Sequence, residues 1–256
     1  MPFEKGSLIL LDYTARIKDN NEIFETTREN DAKDSNLYDP VKKYEPRLVS
    51  VGEGWVLKGV DEVLSKGNVG ETLDIEIPPE KGFGQRDPSK VRMIPQRKLG
   101  EKASDIKVGD VVEIDERAGI VRYIGSGRVQ IDYNHRLASR NLVYNINILK
   151  KLDTDEDKII HLIKRRLPIN TEQIKFEING EILEIHIPED FFLLEGLQIL
   201  KRAVSTDIFK FIKSLKQIIF QESYLSQSVS KSDSTSTSDS TSTSDSTSTS
   251  DSTKNK

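Results

Sequence analysis

Residues 51–64, VGEGWVLKGVDEVL, constrain the chain more than any other stretch. A short β-like run passes through glycines into a helix on which Val60, Val63 and Leu64 recur at i, i+3 and i+4. One apolar stripe therefore faces inward while Lys58, Asp61, Glu62 and Ser65 face water, and Gly67 and Gly70 close the helix. A helix shorter than about 12 residues is marginal in water, so this one needs a sheet to lie against. Three runs supply it: LILLDYTARI (8–17), TLDIEI (72–77) and NLVYNINIL (141–149). Period-two alternation puts Ile9, Leu11, Tyr13, Ala15 and Ile17 on one face of the first. It does the same for Leu73, Ile75 and Ile77, and for Leu142, Tyr144, Ile146 and Ile148. The expected fold is α+β, a bent antiparallel β-sheet around one short helix.

Between these runs, a turn at Asp19-Asn20-Asn21 leads into a second strand, NEIFETT. Residues 28–46 are polar, charged and carry two prolines, which predicts a long surface excursion. After 72–77, Pro78 and Pro79 stop strand pairing, and Gly82 and Gly84 bracket Phe83 in a turn that presents its ring. The last strand of the sheet is then delayed by nearly fifty residues. A structureless loop of that length is improbable in a compact domain. The interval also contains strand-like runs near 106–115, 119–125 and 128–133, with turns expected at Arg117-Ala118-Gly119 and Gly125-Ser126-Gly127. It predicts a small inserted β domain, on which Val91, Met93, Ile94 and Leu99 form an exposed apolar strip.

A third unit begins near Leu152. Thr154 caps a helix with Asp155, Glu156 and Asp157 in its first turn and Lys164, Arg165 and Arg166 in its last, as the helix dipole favours. A hairpin on Asn179-Gly180, helical runs at 190–204 and 205–215, and a strand QIIFQES complete an α-β-β-α-β module. From Ser226 the unit SDSTST repeats, and Ser, Thr and Asp bury too little apolar area to offset ordering entropy, so a disordered tail is expected.

Composition excludes several chemistries. Zero cysteines remove disulfides and thiol catalysis, and three histidines far apart in sequence give no metal-binding spacing. A net charge of −4 gives no overall pull toward nucleic acid. No apolar run reaches a membrane span or a signal peptide, so a cytoplasmic protein is expected, with no membrane contact.

Five ordered blocks then resemble one family: YTARI at 13–17, FETT at 24–27, VGEGWVLKGVDEVL at 51–64, PPEKGFG at 78–84 and NHRLASRNLVYNINIL at 134–149. They are similar to the FKBP-type peptidyl-prolyl cis-trans isomerases, and the insertion resembles the SlyD-like, long archaeal branch with its insert-in-flap domain. The resemblance implies an isomerase domain at 1–84 plus 134–150, an insert-in-flap chaperone domain at 85–133 and a C-terminal module at 152–224, ahead of the tail at 226–256 that composition marks. It implies no cofactor, and unfolded or proline-containing polypeptides as partners. Macrocyclic FKBP inhibitors and a homodimer formed through the C-terminal module stay open. The family's pocket positions fall on Tyr13, Phe24, Glu25, Val56, Leu57, Val60, Phe83, His135 and Tyr144, while the apolar strip of Val91, Met93, Ile94 and Leu99 is the expected client-binding surface. Taken singly, Tyr13, Phe24, Val56 and Tyr144 read as core, Glu25 as a surface carboxylate and His135 as a structural histidine. The ordered set of blocks reverses that.

Three positions depart from the family pattern. Glu25 replaces an aspartate, Phe83 replaces a tyrosine, and Val60 is smaller than the usual pocket floor, while Trp55 is expected to face solvent. Two functions follow: an X–Pro isomerase coupled to chaperone binding by the insert, or a holdase chaperone whose isomerase pocket is weakened.

Overall fold

The structure, a computed structural model, describes residues 2–224. The Ser/Thr/Asp repeat expected to form a tail from 226 onward lies outside the described residues. The first elements are β1 (Leu8–Ile17), β2 (Ile23–Thr26), α1 (Glu29–Asp34), β3 (Arg47–Ser50), α2 (Lys58–Leu64) and β4 (Thr72–Ile77). Strands β5 (Val91–Pro95), β6 (Val111–Ile114), β7 (Arg117–Gly125) and β8 (Arg128–Asp132) follow, and β9 (Leu142–Lys151) returns to the first sheet.

That sheet runs β2-β1-β9-β4 with β3 also paired to β1, and every pairing is antiparallel. Ala15 sits opposite Tyr144 and Tyr144 opposite Ile75, so the apolar faces read from the three runs meet on one side. They close over Val60 and Leu64 of α2. The helix lies close because residue 59 is glycine: a Cβ there would stand 2.8 Å from Ile77 Cγ2. Asp61 ties its start down, its carboxylate accepting from the Gly52 N–H at 2.7 Å and the Gly54 N–H at 3.3 Å. Gly59→Ala is expected to destabilise the chain by about 1–3 kcal/mol, the cost of overpacking. Ile77→Ala, which removes the Cγ2 that the new Cβ meets, should cost less in the Gly59→Ala chain than in the parent chain on urea unfolding, because neighbouring substitutions are not additive. Strictly additive losses in the double variant would show that the Gly59–Ile77 contact does not set the packing.

Several expectations shift locally. The strand leading into α2 ends at Ser50, and residues 51–56 turn, with Gly52 and Gly54 at φ +74° and +66°. The 28–46 excursion contains α1, anchored by buried Ala32 and by a hydrogen bond from the Thr14 hydroxyl to Asp31.

In the insertion the strand order is β5-β8-β7-β6, around a core of Val112, Val121, Val129 and Ile131. The β6–β7 turn falls at Asp115-Glu116, both at positive φ (50° and 62°), rather than at Arg117-Ala118-Gly119. Two left-handed residues match the twist of a tight hairpin, and the second hairpin does the same at Ser126-Gly127. Gly119 is small for a packing reason, since a Cβ would come 2.5 Å from Ile131 Cγ2. The expected strip also splits. Ile94 and Leu99 pack against the insert core, whereas Val91 and Met93 alternate onto the other face, where Met93 is 45% exposed. Across Gln130 from Met93 stands Tyr123, 52% exposed.

The C-terminal module comprises α3 (Asp155–Arg166), β10 (Lys175–Asn179), β11 (Ile182–His186), α4 (Leu197–Phe211) and β12 (Gln217–Gln221), with sheet order β10-β11-β12 and β12 parallel to β11. Thr154 caps α3 by accepting the Asp157 N–H at 3.2 Å. The two helical runs expected at 190–204 and 205–215 are one helix, α4, entered through Gly196 at φ +74°. The core of the module extends into the first sheet. Leu8 and Leu10, on the side of β1 opposite Ile9 and Leu11, are buried in it, and Leu48 and Trp55 pack against it. Trp55 therefore does not face solvent: Phe211 meets its ring edge-on at 5.5 Å, and the Arg165 guanidinium lies 3.7 Å from its centroid. Among the described residues no helix is long and apolar enough to cross a membrane.

Candidate active site

A cavity of about 380 Å³ opens where α2 meets the concave face of the first sheet. Strand alternation aims Tyr13 from β1 and Tyr144 from β9 into it, and their rings stack at 5.8 Å. Phe24 of β2 stands edge-on to Tyr144 at 6.1 Å and to Phe83 at 6.4 Å. Phe83, held in the turn after β4, lies parallel to the His135 ring at 4.1 Å. Val56, Leu57 and Val60 complete the apolar wall from the α2 side. Of the nine expected pocket residues, Tyr13, Glu25, Val56, Leu57, Val60, Phe83 and Tyr144 line the cavity. Phe24 and His135 stand behind it, supporting the rings that do.

The polar rim is one network. Glu25 Oε1 accepts the Tyr13 hydroxyl at 2.6 Å and an Arg47 N–H at 2.9 Å, and Arg47 also donates to Tyr13 Oη at 2.7 Å. The longer glutamate side chain thus reaches the tyrosine. Burial, followed by the hydrogen bond to Glu25, pushes the Tyr13 hydroxyl above its ordinary range, and burial does the same at Tyr144. Both phenols stay protonated. Burial, with the Arg136 charge, holds the His135 imidazole below its usual pKa.

Sequence reasoning missed Arg47, Leu11, Ile146 and Trp55 as lining residues. Arg47 sits at the start of β3 opposite Leu11, a pairing that no local pattern in the four-residue strand marks. The Leu57 N–H has no acceptor among the described residues; it precedes the first turn of α2, where donors lack intrahelical partners.

The site is thus an apolar slot ringed by aromatic side chains, with the Leu57 N–H and an anchored tyrosine at its edge. Comparison with known proteins gives this geometry a family. The FKBP-type peptidyl-prolyl cis-trans isomerase family matches residues 2–99, the FKBP26 IF domain matches 92–137, and the FKBP26 C-terminal family matches 155–225. A short-type peptidyl-prolyl cis-trans isomerase of Methanocaldococcus jannaschii is 28% identical over 145 residues, covering 57% of this chain and 91% of that protein. A probable FKBP-type 16 kDa peptidyl-prolyl cis-trans isomerase of Pseudomonas fluorescens is 30% identical over 109 residues, 41% of this chain and 71% of the relative. The SlyD isomerase of Escherichia coli is 24% identical over 113 residues, 43% and 58% of the two chains. The chain belongs to the FKBP-type peptidyl-prolyl cis-trans isomerases and is an enzyme that acts on proline-containing polypeptides.

Proposed function

We propose that X–Pro isomerisation takes place in the 380 Å³ pocket, and that the inserted β domain holds unfolded or partly folded chains beside it. The observation that carries the first half is the apolar slot walled by Tyr13, Phe83 and Tyr144 with the Leu57 N–H unpaired at its edge. Amide resonance opposes rotation with a barrier of about 18–20 kcal/mol, and the planar amide is more polar than the twisted one. A water-poor pocket therefore disfavours the planar ground state relative to the twisted form. An acceleration of about 10⁶-fold corresponds to roughly 8 kcal/mol of such differential stabilisation. In this reading the rings and Val60 hold the proline, the Leu57 N–H holds a substrate carbonyl, and Tyr13, fixed by Glu25 and Arg47, shapes the rim.

The second half is supported by the outer face of the insert. Met93 and Tyr123 present apolar surface on a four-stranded sheet whose outermost strands, β5 and β6, have no second strand partner among the described residues. Extended chains are commonly held by strand addition at such edges, with side chains seated on the adjoining face.

A weaker pocket with a dominant holdase role is favoured by one observation, the missing hydroxyl at Phe83. Turnover of a short prolyl peptide decides between them: an activity no higher than the uncatalysed rate would leave only the holdase. Phe83→Tyr is expected to raise kcat/KM on such peptides by about two- to ten-fold, the worth of one net hydrogen bond. Unchanged kinetics would mean that the hydroxyl is not what limits the enzyme.

A further inference from the structure

A second hollow, of about 460 Å³, adjoins the prolyl pocket, and Tyr13, Glu25 and Arg47 line both. Its other walls come from distant parts of the chain. Lys42, Lys43 and Glu45 lie in the loop before β3, and Lys164, Arg165 and Arg166 form the last turn of α3. The C-terminal module thus reaches the rim of the isomerase site.

The hollow is cationic in a chain whose net charge is −4. Six Lys and Arg side chains face it, against the carboxylates of Glu25 and Glu45. Arg47 pairs with Glu25 at 2.9 Å and Lys164 with Glu45 at 2.6 Å, while Arg165 and Arg166 share one carboxylate, Asp207, at 3.0 and 2.7 Å. Lys43 donates to the Asn170 side-chain oxygen at 2.6 Å, and Lys42 lies 5.3 Å from the Tyr44 ring. Neither lysine has a carboxylate partner among the described residues. The partial negative charge at the C-terminus of α3, about half a unit, offsets only part of this surplus.

We propose that this hollow is a subsite for client residues flanking the prolyl bond, and that it selects acidic side chains there. This rests on the assignment of the adjoining pocket to the proline. An extended chain advances about 3.3 Å per residue, so residues roughly two to four positions from the proline lie over Lys42, Lys43 and the last turn of α3. Lys42 and Lys43 are exposed, whereas Lys164 and Arg165 are mostly covered; exposed ions attract anions with a strength that falls with salt. The subsite therefore acts as a filter on client sequence, built jointly by the loop before β3 and by a module outside the isomerase sheet.

The test uses the full chain and prolyl peptides that differ only in carrying Ser, Glu or Lys at the flanking positions, on either side of the proline. At low ionic strength the Glu peptides on one side should exceed the Ser peptide in kcat/KM by about ten-fold, the yield of two or three exposed ion pairs. The Lys peptides should fall below it, and the differences should collapse at high salt. In Lys42→Glu/Lys43→Glu the Glu-to-Ser ratio should drop to one or invert. Equal kcat/KM for Glu and Ser peptides, or a preference that survives the charge reversal, overturns the subsite while leaving the pocket standing. A Ser peptide that is not turned over removes the pocket assignment and the subsite with it. Displacement of bound peptide by a short oligoribonucleotide, with no advantage for Glu over Ser, would assign the hollow to nucleic acid instead.

Discussion

Excision of residues 86–132, with the stems joined by a short turn, is expected to leave turnover of a four-residue prolyl peptide within about three-fold of the intact chain. Catalysis of proline-limited refolding of a whole protein should fall by about 10²-fold or more, the scale of advantage that a tethered second binding site confers. Two features make the excision feasible. The stems already meet, since Phe83 and His135 stack at 4.1 Å and the Ser139 N–H donates to the Gly84 carbonyl at 2.8 Å. The insert also keeps its own core, around Val121 and Val129, apart from the core around Val60. What the excision removes is the latch at the base. There the buried Asp132 carboxylate takes Arg86, Arg122 and Asn134, and Asn134 also accepts from the Asp87 N–H. Burial works against ionisation of Asp132, but the Asn134 hydrogen bonds and the Arg86 charge outweigh it, so its pKa lies below the usual carboxylate range. If the excised variant catalyses protein refolding as fast as the intact chain, the insert is not a client-holding domain. The double variant Met93→Ser/Tyr123→Ser tests the same point with the insert in place. It should lose part of the refolding activity with little salt dependence, because apolar contact and backbone pairing carry little charge.

The parts of the fold legible in the sequence were those set by strand alternation and by short-range spacing. Leu142, Tyr144, Ile146 and Ile148 are all buried on one face, and Val60 and Leu64 meet them, because a two-residue period and a four-residue spacing leave only one way to dry those side chains. Positions set by tertiary partners were harder to read. Leu8 and Leu10 look like solvent-side residues of an alternating strand until the C-terminal module arrives to cover them. Trp55 is likewise held by Phe211 and Arg165, more than a hundred residues away in sequence. Arg47 belongs to the rim only because β3 pairs with β1 and brings it beside Tyr13, and nothing local in RLVS marks that pairing. In the insert, Gly119 reads as a turn residue by composition, yet it is glycine because Ile131 and Tyr133 leave no room for a Cβ. Asp115 and Glu116 make the turn without the usual glycine, and the hairpin twist dictates their positive φ.

The shared core also predicts that the C-terminal module and the isomerase sheet hold each other up. Leu8 and Leu10 are 2% and 8% exposed, and they lie among Leu152, Ile159 and Val204 of the module core. Replacing a buried leucine by alanine costs about 2–5 kcal/mol, so Leu8→Ala/Leu10→Ala should remove roughly 4–10 kcal/mol, a large part of the stability of an ordinary domain. The loss falls on the joint and not on the core around Val60, which Ile9 and Leu11 serve from the other face of the strand. Unfolding should therefore split into two steps, with the module releasing first. Trp55 is the sole tryptophan and sits in that joint, so its fluorescence reports the release directly. Trp55 also lines the 380 Å³ cavity proposed to hold the proline, so loss of Phe211 and Arg165 from its ring should lower peptide turnover at the temperature where the fluorescence shifts. The short-type relative of Methanocaldococcus jannaschii aligns over 91% of its length with little more than half of this chain. In the present chain the outer side of β1 is apolar at Leu8 and Leu10, and a fragment ending at residue 150 would expose both. That fragment should aggregate unless both leucines are made polar. A single cooperative transition in the double alanine variant, with turnover and Trp55 emission unchanged up to it, would mean that the two cores are energetically one and that the joint is not where the chain first opens.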